Sequence, residues 1–158
     1  GFLACAKAGA SVTSAVTLGA RGQEPVANPD FLSPEILIDE MLAPFSRHFR
    51  RFSGPFVLEF PPLPRGVSLP AAEFLSGLDH MLGALPRDFN YAVELRERDW
   101  LTPEYAQILR ARGASHVFNY LTRMPLPALQ ADAIPPESQP LNVIRLLLPP
   151  GTPWPATG

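Results

Sequence analysis

The chain has 158 residues, of which 46% are hydrophobic and 18% are charged, and its formal net charge at pH 7 is −2. This composition is typical of a globular protein rather than a disordered one, and the length suits one domain with a hydrophobic core. No apolar run reaches the roughly 20 residues that cross a bilayer, so we expect no membrane partner. The slight negative charge gives no general attraction to phosphate backbones, so we do not expect nucleic acid as a partner.

The cysteine count and the opening segment indicate where the protein is found. One cysteine, Cys5, excludes an internal disulfide and a cysteine-based zinc cage, and it fits the reducing cytoplasm as a buried structural thiol. The opening segment is rich in small apolar side chains, but Lys7, Gly9 and Ser11 interrupt the core that a secretory signal requires. We therefore expect a cytoplasmic protein.

Short apolar runs of strand length recur along the chain. We predict strands at residues 2–7, 55–60, 91–96, 115–120 and 142–148. The 20 prolines fall singly and in pairs between periodic segments rather than in one tract, so they mark the ends of elements in an ordered fold.

Helix signals lie between the predicted strands. In residues 33–49, Ser33 is a capping residue and Pro34 takes the first helical position, whereas Pro44 predicts a kink or an end. Residues 69–85 place leucine, methionine and phenylalanine at helical spacing, which predicts a second helix.

A further helix is predicted between Thr102, a capping residue, and Gly113, a typical helix terminator. Residues 122–140 are rich in proline and show no firm element. Strands that alternate with helices in this way are typical of an α/β fold with a parallel sheet.

Alternation along the predicted strands separates two kinds of side chain. Large apolar residues such as Phe56 and Leu58 share one face, while smaller or ionisable residues such as Val57 and Glu59 share the other. A barrel explains this division, because its strands turn bulky residues outward to the helices and carry site residues inward near their carboxyl ends. No glycine-rich phosphate loop follows any predicted strand, which disfavours an open nucleotide-binding sheet.

Five ionisable residues stand near the ends of four predicted strands, and we expect them to converge at the barrel mouth: Lys7, Glu59, Glu94, Arg96 and Arg145. The two arginines suit a carboxylate or phosphate ligand, and Lys7 suits orientation of an oxygen or action as a base. Glu59 and Glu94 suit an acid and base pair or, as a weaker alternative, oxygen ligands for a divalent metal. The alternative for the whole group is a salt-bridged rim without a ligand.

The histidines and one basic segment do not favour a site of their own. His48, His80 and His116 fall on two helices and on the outward phase of a strand, so we expect surface or packing roles. The segment RHFRRF interleaves arginines with Phe49 and Phe52, as some RNA-binding surfaces do. We expect these arginines to complement a helix end and the phenylalanines to pack inward.

Several motifs, taken in order, resemble one protein family. GPFVLEFPP, YAVELRERDW, ARGASHVFNY and NVIRLLL are similar to consecutive segments of the YecE-like family, the domain of unknown function numbered seventy-two. FLACAK and NPDFL are similar to an earlier strand and to the start of its next helix. The resemblance covers most of residues 1–148 and implies a TIM-type β/α barrel, a fold related to sugar isomerases, with no established activity.

The resemblance also implies which residues form the site. The family's characteristic polar or aromatic positions are occupied by Lys7, Glu94, Arg96, Trp100 and Arg145. Trp100 would form a wall on which a ring stacks.

Four departures from the family pattern lie near the expected site. Glu59 stands where glutamine is usual, Asn119 where aspartate is frequent, Thr13-Ser14 where Thr-His is common, and Leu147-Leu148 where His-Gly follows the arginine strand. Two of these changes add or remove charge at the expected ligand site.

A barrel of this type has eight strands and about 250 residues, whereas we predict five strands that match the third to seventh of the family pattern. We therefore expect an incomplete barrel at residues 1–148, either a fragment of a larger barrel or a degenerate copy. A Pro/Gly-rich tail is predicted at residues 149–158.

The leading hypothesis is that a small anionic or sugar-like molecule binds at the barrel mouth and undergoes acid/base chemistry of the isomerase or lyase type. Glu94 and Lys7 are the candidate catalytic residues, and the candidate ligand contacts are Arg96, Arg145, Glu59, Trp100 and Asn119. The alternatives are a non-catalytic binding or scaffold module and a nonfunctional truncated product. Apart from the divalent-metal alternative, no cofactor is expected.

Overall fold

The computed structural model of the protein describes residues 3–17, 19 and 23–146. Within these ranges the strands, in chain order, are β1 (Ala4–Lys7), β2 (Val16–Thr17), β3 (Val26–Ala27), β4 (Ser53–Phe60), β5 (Tyr91–Leu95), β6 (Ser115–Asn119) and β7 (Val143–Arg145). The α-helices are α1 (Ala10–Thr13), α2 (Pro34–Leu37), α3 (Ala43–His48), α4 (Ala71–Ala84), α5 (Pro103–Arg112) and α6 (Pro127–Ala133). A π-helical segment spans Ile38–Leu42, and short 3₁₀ helices span Arg50–Phe52, Arg98–Trp100 and Pro136–Ser138.

Five of the strands form one parallel sheet in the order β1, β4, β5, β6, β7, and β2 pairs with β3 in a separate antiparallel sheet. The parallel sheet is curled into a half-barrel. The five predicted strands therefore exist and join one sheet, which confirms the α/β class. The end of the last predicted strand and the predicted tail, residues 147–158, lie outside the described residues.

The helix predicted at residues 33–49 forms, but its geometry changes before Pro44. Ser33 caps it as expected, since its hydroxyl accepts a hydrogen bond from the Ile36 N–H at 3.3 Å. The π-helical segment Ile38–Leu42 then separates α2 from α3. Proline has no N–H and its ring crowds the preceding turn, so this wider turn accommodates Pro44 without ending the helix.

The other predicted helices, α4 and α5, follow their sequence signals, whereas α6 was missed. The Thr102 hydroxyl accepts a hydrogen bond from the Tyr105 N–H at 3.2 Å, and Gly113 ends α5 with a φ of 67°. The prolines around α6 hid a short helix, although Pro127 at its first position is itself a start signal. In the described part of the chain, no helix is both long enough and apolar enough to cross a membrane.

The outer face of the parallel sheet forms the main hydrophobic core with the helices. Phe56, Leu58, Phe60, Val93 and Leu95 are each at most 1% exposed. Burial of each such side chain contributes roughly 1.5–3 kcal/mol. The outward phase predicted from alternation is therefore confirmed.

The inner face of the sheet carries much smaller apolar side chains. Val57, Ala92 and Val117 form a separate buried cluster, and Val143 packs against it. Val57 lies opposite Ala92 and Val117 opposite Val143 in the strand registers, so the cluster runs across four strands. Short side chains at these positions leave space inside the curve of the half-barrel.

Two expectations about burial are wrong. Cys5 is exposed, because β1 is the edge strand of the sheet and has a neighbour on one side only. Phe49 and Phe52 are 52% and 42% exposed, because the 3₁₀ turn Arg50–Phe52 leads directly into β4 and leaves both rings outside the core.

Candidate ligand site

Parallel pairing brings the predicted charged residues together at one end of the sheet. β4 and β5 are in register so that Glu59 lies beside Glu94, and β6 and β7 place Asn119 beside Arg145. Lys7 ends the neighbouring strand β1. Because the carboxyl ends of parallel strands share one edge, these residues meet at the mouth of the half-barrel.

Lys7, Glu59, Glu94, Arg96 and Arg145 form one ion-pair network. Arg96 bridges both carboxylates, with Nη2 at 2.8 Å from Glu59 Oε2 and Nε at 3.2 Å from Glu94 Oε1. Arg145 also bridges them, since Nη1 donates to Glu94 Oε2 at 2.8 Å and to Glu59 Oε2. Lys7 Nζ lies 3.4 Å from Glu59 Oε1. All four carboxylate oxygens therefore have a cationic partner.

The network carries more positive than negative charge. Three cations face two carboxylates, which leaves one net positive charge when all five groups are ionised. Burial alone would raise the pKa of Glu59, but the hydrogen bond from Arg145 and the positive charges of Arg96 and Lys7 outweigh burial and lower it. Glu59 is therefore ionised at neutral pH.

Arg145 keeps much of its hydrogen-bonding capacity. Both carboxylates are bonded by the same nitrogen, Nη1, and no bond from Nε or Nη2 to a described residue is found. A guanidinium has five N–H donors, of which Nη1 supplies two. The remaining three, on Nε and Nη2, form the edge that binds a carboxylate or phosphate through two parallel hydrogen bonds. The bonds to Glu59 also raise the pKa of Arg145, so its charge is permanent.

A cavity of about 350 Å³ opens on the inner face below the network. Lys7, Glu94 and Arg145 supply its polar wall. Cys5, Val57, Val117, Val143 and Ile144 supply the remainder. The side chain of Lys7 is 57% exposed and that of Arg145 is 37% exposed, so both are open to solvent, while Glu94 is fully buried. The cavity volume lies at the lower end of the range for small-molecule sites.

The donor set does not fit the divalent metal considered as an alternative. In the described ranges, no three side chains of His, Cys, Asp or Glu come together in a group that could hold a metal ion. The two carboxylates at the mouth already accept bonds from arginine and lysine. A metal there would face three neighbouring cations, which is unfavourable.

Trp100 lies apart from the ion-pair network. Its ring stacks on Phe74 with 3.9 Å between centroids, its Nε1 donates to the Leu69 carbonyl at 3.3 Å, and only 3% of it is exposed. It contributes to a second cavity of about 370 Å³ between the loops after β4, β5 and β6. Arg65 and Arg123 also line this cavity and had no sequence signal beyond their position in loops after strands.

Asn119 belongs to a buried polar network that sequence analysis did not foresee. Its Nδ2 donates to the Leu95 carbonyl at 2.8 Å, and its backbone N–H donates to Gln130 Oε1 at 3.2 Å. Gln130 Nε2 in turn donates to the carbonyls of Asn119 and Pro125. Asn119 Oδ1 is buried and has no hydrogen-bond partner among the described residues. Asn119 is therefore held by β5 and α6, near the mouth but outside the ion-pair network.

His116 is the centre of the same polar network. Its Nε2 lies 3.0 Å from Gln130 Oε1 and its Nδ1 lies 3.0 Å from the Tyr105 hydroxyl. Because Gln130 Oε1 accepts, Nε2 carries the proton and Nδ1 accepts from Tyr105. Burial lowers the pKa of His116 to about 4. His116 is thus a neutral packing residue on the outer face, as the alternation predicts.

Comparison with known protein families gives the same family as the sequence motifs of the strands. Residues 1–152 match the model of a family described as "Protein of unknown function DUF72". No curated protein and no solved structure matches the chain. The chain therefore belongs to the DUF72 family, the domain of unknown function numbered seventy-two that the motifs of its strands resemble.

Proposed function

We propose that this chain binds a small anionic molecule at the mouth of a TIM-type half-barrel, with Arg145 as the principal ligand-binding residue and Lys7 as its partner. The observation that carries the proposal is the Nε and Nη2 edge of Arg145, which bonds no described residue and lies beside an open cavity. Such an edge holds a carboxylate or phosphate oxygen pair in fixed geometry. Lys7, which is half-exposed and paired with Glu59, adds a positive charge from β1, at the other edge of the sheet.

The two glutamates have a positioning role in this proposal. Glu59 and Glu94 fix the guanidiniums of Arg96 and Arg145 through charge-assisted hydrogen bonds. Arg96 uses Nε and Nη2 for the glutamates, so its binding edge is occupied. If acid/base chemistry takes place here, Lys7 is better placed than Glu94 to move a proton, because Glu94 is fully buried between two guanidiniums.

A scaffold without a ligand is the second candidate function. It is favoured by the saturation of all four carboxylate oxygens within the network. If the network is a scaffold, Arg145 contributes to stability but not to anion binding. If the proposed function is correct, Arg145 contributes mainly to anion binding and less to stability. Titration with anions separates the two.

The test is isothermal titration of the wild-type chain and of Arg145→Gln with acetate and with inorganic phosphate. Loss of a charge-assisted, two-bond contact predicts at least about tenfold weaker binding of each anion to Arg145→Gln. Arg110→Gln, at an exposed position on α5, is the matched control and should bind as the wild type does. Equal binding by Arg145→Gln and wild type, or saturable binding by neither, would leave the scaffold as the function.

A further inference from the structure

We infer that the ligand of this site is a small monocarboxylate with a compact apolar body, rather than a sugar or a polyhydroxylated acid. The inference rests on the proposed function, since it assumes that Arg145 holds the anionic group. The inference concerns the part of the ligand beyond its anionic group, and it is drawn from the side chains that line the cavity below Arg145.

The wall below the charged mouth is apolar across the half-barrel. Val57, Val117 and Val143 line the cavity from three strands. With Ala92 they form a small apolar cluster that is separate from the main core. A ligand whose carboxylate reaches Arg145 therefore places its next atoms against valine methyl groups.

Hydroxyl groups on the ligand would find few partners there. The polar groups that line the cavity are the mouth residues Lys7, Glu94 and Arg145 and the weakly bonding thiol of Cys5. Glu94 already accepts from two guanidiniums. Hydroxyls placed on the valine wall would lose hydrogen bonds to water without replacement, which costs binding free energy.

The net charge of the network and the size of the cavity limit the class of ligand further. The network has one net positive charge, which balances one carboxylate and leaves a second anionic group unpaired. The cavity of about 350 Å³ accommodates the body of a short branched, linear or ring-bearing acid. A monoanion with a few apolar carbons satisfies both limits.

The experiment is a titration series with acetate, propionate, butyrate and pentanoate, with glycerate as the hydroxylated acid of matched length. Burial of each added methylene predicts binding that tightens by between about twofold and fourfold per carbon. Glycerate should bind more weakly than propionate. Arg145→Gln should weaken the whole series by a similar factor, because all members share the carboxylate.

The apolar wall is tested by Val143→Thr, which replaces one methyl with a hydroxyl at a half-buried strand position that tolerates threonine. It should leave acetate binding close to wild type and reduce the preference for butyrate over acetate by at least about twofold. Val26→Thr, at an exposed position on β3, is the matched control and should keep the full preference.

The outcomes separate the two proposals. Acetate and phosphate binding that depends on Arg145 but shows no gain with chain length would overturn the apolar-acid inference and leave anion binding intact. Tighter binding of glycerate than of propionate would also overturn it, in favour of a sugar-like ligand. Binding of none of these anions would overturn both proposals.

Discussion

The two faces of β4 differ sharply although they alternate residue by residue. Leu58 faces outward and is fully buried against the helices, whereas Val57 and Glu59 face inward beside the cavity. The outer face uses large apolar side chains and a neutral polar network around His116. The inner face uses small apolar side chains and five charges. The difference indicates that the outer face carries most of the stability of the fold, and it is on the inner face that we propose binding.

We expect the largest change in stability, and the clearest difference between the two faces, when neighbouring side chains of β4 are truncated to alanine. Leu58→Ala should lower the free energy of unfolding by about 2–5 kcal/mol, because it opens a cavity in a closed core. Val57→Ala should lower it by only about 1 kcal/mol, because its methyl groups border a cavity that is already open. Urea unfolding of both variants measures the difference. Equal losses would contradict the assignment of stability to the outer face.

A smaller effect is expected from the neutral histidine on the outer face. Because the folded-state pKa of His116 is lowered to about 4, the unfolded chain binds more protons between that pH and about 6.5. The contribution of neutral His116 to the free energy of unfolding is present above pH 6.5 and is lost as the pH falls toward 4. About 2 kcal/mol of it is lost between pH 7 and 5. Urea unfolding at the two pH values measures it.

Matched variants identify His116 as the source of this pH dependence. His116→Gln should be less stable at pH 7 but should lose most of the difference between pH 7 and 5. Tyr105→Phe keeps the imidazole buried and should retain the difference, as should His48→Gln at an exposed position. An unchanged pH dependence in His116→Gln would show that another group is responsible.

We expect the ion-pair network on the inner face to contribute less to the free energy of unfolding than the outer face does. Glu94→Gln keeps the shape of the side chain but removes the charge that two arginines share. Because Arg96 and Arg145 are 21% and 37% exposed and can bond water instead, we expect a loss of about 1–2 kcal/mol in urea unfolding, less than for a fully buried pair. Glu137→Gln, at an exposed position, is the control and should change stability by less than about 0.5 kcal/mol. A loss in Glu94→Gln as large as that in Leu58→Ala would make the network a structural core rather than a binding site.

The smallest effect is expected at an exposed ion pair. Arg50 Nη2 lies 2.7 Å from Asp88 Oδ2, but the two side chains are 61% and 38% exposed. Arg50→Gln should therefore change the free energy of unfolding by less than about 0.5 kcal/mol. A loss above about 1 kcal/mol would show that this segment is part of the folded core after all.

Much of the fold could be predicted from the sequence, because local signals and packing agree. The strand at residues 91–96 alternates regularly, and Thr102 and Gly113 bound α5 through backbone geometry that few other residues satisfy. The convergence of Lys7, Glu59, Glu94 and Arg145 also followed, because parallel strands bring their carboxyl ends to one edge.

Other features depend on distant contacts that no local pattern encodes. Gln130 joins His116 to Asn119 from a short proline-flanked helix, and nothing within α6 indicates that its side chain is buried. Which nitrogen of Arg145 bonds the glutamates is set by the curl of the sheet and the rotamer of a long side chain. The sequence therefore predicts the charged mouth but not which side of the Arg145 guanidinium is left without a bond to a described residue.

The proposed anion binding on the inner face uses Nε and Nη2 of Arg145, which bond no described residue. The most direct measurement is an acetate titration followed by the NMR signal of each arginine Nε–H group. We expect a saturable shift of the Arg145 signal, a much smaller shift for Arg96, whose Nε is bonded to Glu94, and none for exposed Arg51. An Arg145 signal that does not move, or that moves no more than the Arg51 signal, would contradict it.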